Sequence, residues 1–188
     1  MSSSWFVDET HRLRPSAREV VSPHYDERPD PDDIALVVLH NISLPPGRFG
    51  GPWIDDLFCG RLDPDAHPYF RDIAQLRVSA HLLIARDGAV TQYVPFDRRA
   101  WHAGVSNWQG RERCNDFSIG IEIEGSDEAP FEDAQYASLV RVLPALFARY
   151  RRLGTRKLTG HSDIAPGRKT DPGPHFDWSR LHAMLAAA

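Results

Sequence analysis

A single α/β domain, with a central mixed β-sheet flanked by helices, is the fold this chain predicts, and three stretches predict it. Residues 34–39 are a continuous apolar run rich in branched side chains, of a length that suits a strand buried on both faces. Residues 118–124 alternate strictly, with Ile119, Ile121 and Ile123 on one face and Gly120, Glu122 and Glu124 on the other. In residues 133–153, Tyr136, Leu139, Val140, Leu143, Leu146, Phe147 and Tyr150 recur with helical period. At 188 residues the chain is long enough for one core without disulfide or metal staples.

In chain order, residues 1–33 are polar and carry Pro15, Pro23, Pro29 and Pro31. They predict an extended arm packed on the domain of residues 34–188, with a short strand near 19–21. His40 and Asn41 end the first buried strand, where open α/β sheets place their ligand sites. A Gly- and Pro-rich loop at 45–52 follows, then a helical turn over 53–58 and another over 68–73. This long insertion is either one wall of a site or a plain surface excursion. Residues 79–85 read as a second strand, and Arg86, Asp87 and Gly88 supply the turn into a third over 89–94. His81, lying within that second strand, reads as a packed or hydrogen-bonded residue.

Trp101 and His102 open a loop that runs to about 117, and Trp101 is either a platform for a sugar ring or a core residue. On the strand at 118–124, Gly120 leaves space beside Glu122, as a substrate site needs. Either Glu122 or Glu124 would serve as a general base, and periodicity does not choose between them. In the helix of 133–153, Pro144 predicts a kink or a division into two pieces, and Gly154 is a natural stop. A short strand over 157–159 leads into residues 159–178, which hold three Pro, three Gly, two His and three Asp. Such a stretch is a stiff loop, able to bring His161 and Asp171 to one metal ion. Asp177 is placed to cap a last helix over 178–187.

Composition narrows the function. A net charge of −4 and a pI near 6.1 argue against a nucleic-acid footprint. No apolar run approaches the roughly 18 residues of a membrane span. Cys59 and Cys114 form no CxxC pair, and the first residues have neither a basic nor an apolar leader segment, so the cytoplasm is the expected compartment. What remains is a chemistry-bearing set at strand ends and in loops: His40, Glu122, His161, Lys169 and Asp171. Two neutral imidazoles and one carboxylate are a ligand set for a catalytic zinc that keeps a position open for water. A further carboxylate to take a proton and a lysine to steady an oxyanion complete the parts for hydrolysing an amide.

These residues lie in motifs that resemble the zinc-type N-acetylmuramoyl-L-alanine amidases, a family that includes peptidoglycan recognition proteins and phage T7 lysozyme. The motifs are Val38-Leu39-His40-Asn41-Ile42-Ser43, Phe49-Gly50-Gly51-Pro52-Trp53, Leu76-Arg77-Val78-Ser79-Ala80-His81, Trp101-His102-Ala103-Gly104, Arg113-Cys114-Asn115-Asp116-Phe117-Ser118-Ile119-Gly120-Ile121-Glu122, and Gly160-His161-Ser162-Asp163 running on through Lys169 and Asp171. The likeness covers nearly all of residues 20–180 and is strongest to cytosolic members acting on anhydro-muropeptides. It implies one Zn2+ per chain on His40, His161 and Asp171, with Glu122 as general base and Lys169 at the oxyanion. It also implies that Arg77 and Arg113 hold carboxylates of a stem peptide and that Asn41 and Trp101 meet the muramyl sugar. His81 and His102 are not metal ligands in the family. The implied partner is a small muropeptide, with no nucleic acid or membrane, acted on by a monomer in cell-wall recycling, with an influence on β-lactamase induction. The implied alternative is a peptidoglycan-binding sensor without catalysis; sensors tend to lack a ligand, and here all three are present.

Overall fold

A computed structural model describes residues 4–15 and 17–188. Its main sheet has six strands, and the two longest are those the apolar patterns mark. Leu36–Ile42 and Ser118–Glu124 run parallel side by side. Leu158–Gly160 flanks the first of them in parallel, and Leu82–Ile84 flanks the second. Val90–Gln92 turns back antiparallel on Leu82–Ile84, and Arg18–Glu19 closes that edge in parallel. The sheet is therefore mixed.

Alternation along Ser118–Glu124 sorts its two faces. Ile119, Ile121 and Ile123 are wholly buried in a core with Leu139, Val142, Leu143 and Leu146 of the helix Asp133–Arg149. The opposite face is buried as well, including Glu122 and Glu124. Over it lie the short helices Trp53–Phe58 and Phe70–Ile73 of the insertion, with their own apolar cluster of Ile54, Leu57, Phe58, Phe70, Leu83 and Tyr93. The insertion is thus a packed wall.

Several boundaries differ from the sequence reading. The first strand continues through His40 and Asn41 to Ile42, so both polar side chains are held on ladder backbone. The second strand is trimmed to Leu82–Ile84, with His81 just before it, and the third to Val90–Gln92. The long helix passes through Pro144 as one 17-residue element rather than two. Pro144 is on the exposed side of that helix, where water can serve the carbonyl it leaves without a partner. The helix stops at Arg149, well before Gly154, because Tyr150 turns to extended backbone. That turn sends its buried ring against Phe96 and its hydroxyl to His11 Nδ1, 2.8 Å away. Residues 159–178 are not entirely loop, since His161–Ile164 forms one helical turn.

The N-terminal arm adds Arg18–Glu19 to the sheet edge and pairs Tyr25–Glu27 with Arg98–Ala100. It also buries Arg28, whose guanidinium donates to the carbonyls of Phe96, Asn115, Asp116 and Ser118. Burial pulls that group down to about 10, still charged at neutral pH.

Candidate metal centre and cleft

The site sits at the C-terminal ends of three adjacent parallel strands. His40 comes from Leu36–Ile42, and Glu122 is its register partner on Ser118–Glu124. His161 directly follows Leu158–Gly160, the neighbour on the other side. Asp171 arrives from the following loop, whose return is fixed by Ser162 N–H donating to the Asp171 carbonyl at 2.9 Å. Gly160 lets that return pack closely, since a Cβ there would lie 2.8 Å from the Pro172 ring. Asp163 stiffens the start of the turn by accepting from Gly160 N–H and Thr159 Oγ1, both at 2.9 Å.

Three atoms converge. His40 Nδ1 and His161 Nδ1 are 3.0 Å apart, and Asp171 Oδ2 is 2.9 Å from the first and 3.1 Å from the second. Among the described residues, these three form the group able to hold a metal ion. Their protonation suits a cation. Burial brings His40 down to about 4, so its imidazole is neutral at pH 7. For Asp171, burial acts upward, but the close approach of the His161 and His40 rings outweighs it and holds the carboxyl below the usual range. Two imidazole nitrogens and one carboxylate oxygen brought together in this way fit zinc by donor type and number.

Glu122 and Lys169 border the same cleft, of about 360 Å³. Burial first, and then the charge of Asp171, raises the Glu122 carboxyl well above its ordinary value, with Lys169 acting in the opposite direction. Its Oε2 is buried without a hydrogen-bond partner. Glu124 is engaged instead: one oxygen accepts from Gly50 N–H at 2.5 Å and the other from Arg86 N–H at 3.1 Å. The strand therefore presents one free carboxylate and one that ties down loops. The space above Gly120 is not open to a substrate, because the ring of His102 fills it. A Cβ on residue 120 would come within 2.4 Å of that ring.

Among the other residues singled out from sequence, Asn41 and Trp101 line the cleft. Both hydrogens of Asn41 Nδ2 have acceptors, Asp127 Oδ1 at 2.7 Å and the Pro172 carbonyl at 3.0 Å, which leaves its amide oxygen as the free group. Trp101 is half-buried, donates to Asp26 at 3.1 Å, stacks on His24 and has the Arg77 guanidinium over its ring at 5.4 Å. Arg113 does not reach this cleft. It is exposed, pairs with Asp116 at 3.1 Å, and borders a separate groove of about 520 Å³ with Val105 and Ile164. That groove is larger, but the converging titratable groups are all in the 360 Å³ cleft. His81 is wholly buried, accepting from Gly120 N–H at 3.0 Å and approaching the Arg98 carbonyl at 3.0 Å. Sequence reasoning passed over Asp127, which orients Asn41, and assigned His102 no task. Nothing in local pattern marks either, since their partners are 86 and 62 residues away.

Comparison with known proteins identifies the family. A family model described as N-acetylmuramoyl-L-alanine amidase matches residues 30–174. The 1,6-anhydro-N-acetylmuramyl-L-alanine amidase AmpD of Enterobacter cloacae is 62% identical over 188 residues, covering 100% of this chain and 96% of that one. AmpD of Escherichia coli (strain K12) is 64% identical over 170 residues, 90% of this chain and 92% of that one. The crystal structure of a selenomethionine AmpD derivative superposes with a TM-score of 0.91 at 62% identity, covering 94% of this chain and 98% of that one. E. coli AmiD, solved with anhydro-N-acetylmuramic acid-L-Ala-D-gamma-Glu-L-Lys, gives a TM-score of 0.59 at 28% identity, covering 96% of this chain and 65% of that one. The chain belongs to the N-acetylmuramoyl-L-alanine amidase family.

Proposed function

We propose that this protein is a zinc-dependent amidase that hydrolyses the bond between the lactyl group of 1,6-anhydro-N-acetylmuramic acid and the L-alanine of its stem peptide, in peptidoglycan recycling. The observation that carries the reading is the meeting of His40 Nδ1, His161 Nδ1 and Asp171 Oδ2 beside a buried carboxylate oxygen with no partner. The names of the AmpD relatives support the substrate. When bound, the zinc would supply Lewis-acid polarisation of the scissile carbonyl and of water.

Glu122 then has the two halves of the proton transfer. Its free Oε2 accepts a proton as water oxygen bonds to the amide carbon, and returns it to the alanine nitrogen as the carbon–nitrogen bond breaks. The raised affinity of this buried carboxyl for a proton favours the first of these steps, the uptake from water. Lys169 places an ammonium beside the carbonyl oxygen where negative charge develops. The free amide oxygen of Asn41 is offered to an N–H donor of the muramyl unit, and Trp101 offers its ring to the sugar. Arg77 and Arg113, both exposed, are assigned to carboxylates of the peptide, Arg113 from outside the cleft. A cytoplasmic monomer acting on free muropeptides is part of the same proposal, supported by two free cysteines. Among the described residues no helix is long and apolar enough to cross a membrane. A non-catalytic sensor is disfavoured because no member of the ligand, base and lysine set is missing.

The test is to offer purified protein anhydro-muramyl and reduced-muramyl tripeptides, with and without a chelator, and weigh the products. The anhydro substrate should lose its peptide, with activity abolished by chelation and restored by zinc. Binding without cleavage in zinc-loaded protein would establish the sensor instead.

A further inference from the structure

The two imidazole ligands are held from behind by consecutive residues of one loop. An imidazole nitrogen that gives its lone pair to a cation carries no proton, so the proton of each ring must sit on the other nitrogen. For His40 that nitrogen is Nε2, which lies 2.9 Å from His102 Nδ1. For His161 it is again Nε2, 3.0 Å from the carbonyl of Ala103. Accepting from His40 forces the His102 proton onto its own Nε2, which faces Ser118 Oγ at 3.2 Å. The order of protons along Ser118, His102 and His40 is then determined in one direction.

That loop is itself clamped. Asn115 Oδ1 accepts from the backbone N–H groups of both residues, His102 at 3.1 Å and Ala103 at 2.8 Å. Arg168 donates to the Ala103 and Val105 carbonyls, each at 2.7 Å. Gly120 supplies the room against the sheet that the His102 ring occupies. A ring packed against Gly120 and tied at both nitrogens is held in one orientation, unlike a surface imidazole.

We propose that His102 and the Ala103 carbonyl form a shared outer support that selects the ligating nitrogen of both imidazoles, and that Asn115 is the positioning residue that sets this support. The proposal rests on the metal-site reading above. Partners of this kind typically change metal affinity by about 10–100-fold.

The probe is zinc alone, measured by competition with a chromophoric chelator, with nitrogen NMR of labelled histidines reporting which ring atom is protonated. Wild-type protein should bind one zinc per chain, with the pyrrole-type signal on His40 Nε2. His102→Phe keeps a ring over Gly120 and removes the acceptor, and should weaken zinc about 10–100-fold. Asn115→Ala should weaken zinc by about tenfold at the lower edge of that range, whereas Asn115→Asp, which retains an acceptor oxygen, should recover most of the affinity. If His102→Phe fails to fold, the Asn115→Ala and Asn115→Asp pair decides alone. Wild-type zinc affinity in a folded His102→Phe, or in Asn115→Ala, would overturn the support. A wild-type protein that binds no zinc would instead overturn the metal-site reading beneath it.

Discussion

Glu122 and Glu124 are two residues apart on one strand face, yet their surroundings give them opposite tasks. Glu124 spends both oxygens on the backbone of Gly50 and Arg86, whereas Glu122 keeps a buried oxygen unpartnered. Replacing Glu122 with Gln should lower turnover by about 10²–10⁴-fold while zinc content, read by atomic absorption, stays at the wild-type level. The same change should stabilise the metal-free protein. Because burial raises its carboxyl in the folded state, the neutral form is favoured there; stability is fully present below the unfolded value near 4.5 and is lost as pH rises through the higher folded value. Melting temperatures of wild type should therefore fall on going from pH 5 towards neutrality relative to Glu122→Gln. A parallel trend in the two proteins would contradict the buried charge. Lys169→Ala should cost about 10²–10³-fold in turnover, as loss of an oxyanion donor does. Equal loss of zinc and turnover would make Lys169 a structural residue.

At the scale of elements, the strand Ser118–Glu124 organises both the core and the site, and Gly120 is its most constrained position. Gly120→Ala would drive a methyl into the His102 ring, whose two nitrogens are already engaged, at a cost of about 1–3 kcal/mol. For a chain of this length that is roughly 2–4 °C in Tm per kcal/mol, readable by calorimetry. Gly154→Ala is the control: nothing lies within 4 Å of a Cβ there, and its extended backbone suits alanine. Periodicity places Gly120 on the site face, but the occupant of the space above it comes from a loop 18 residues upstream. Pro144 shows the complementary limit. Its chemistry argues for interruption, but its exposed position on the helix allows the element to continue.

On the scale of the whole molecule, Arg28 joins the N-terminal arm to the strand that carries Glu122. Its guanidinium serves four backbone carbonyls drawn from three segments, and it precedes the stretch matched by the family model. Arg28→Leu would remove the donor from those carbonyls, of which Phe96 and Ser118 lie in buried residues, and should destabilise by about 3 kcal/mol in urea unfolding. Little change would mean that water replaces the guanidinium. Patterning by itself determined the class of fold, the two buried strands, the long helix and a Gly- and Pro-rich stretch crowded with ionisable groups, because alternation and helical period report which face of an element avoids water. Motif likeness marked the residues that meet at the cleft. Only the tertiary structure decided which ring nitrogens of His40 and His161 face each other, which glutamate keeps a free oxygen, and that His102 occupies the room above Gly120. Periodicity carries no distance between segments, and the His40–Asp171 contact spans 131 residues of chain.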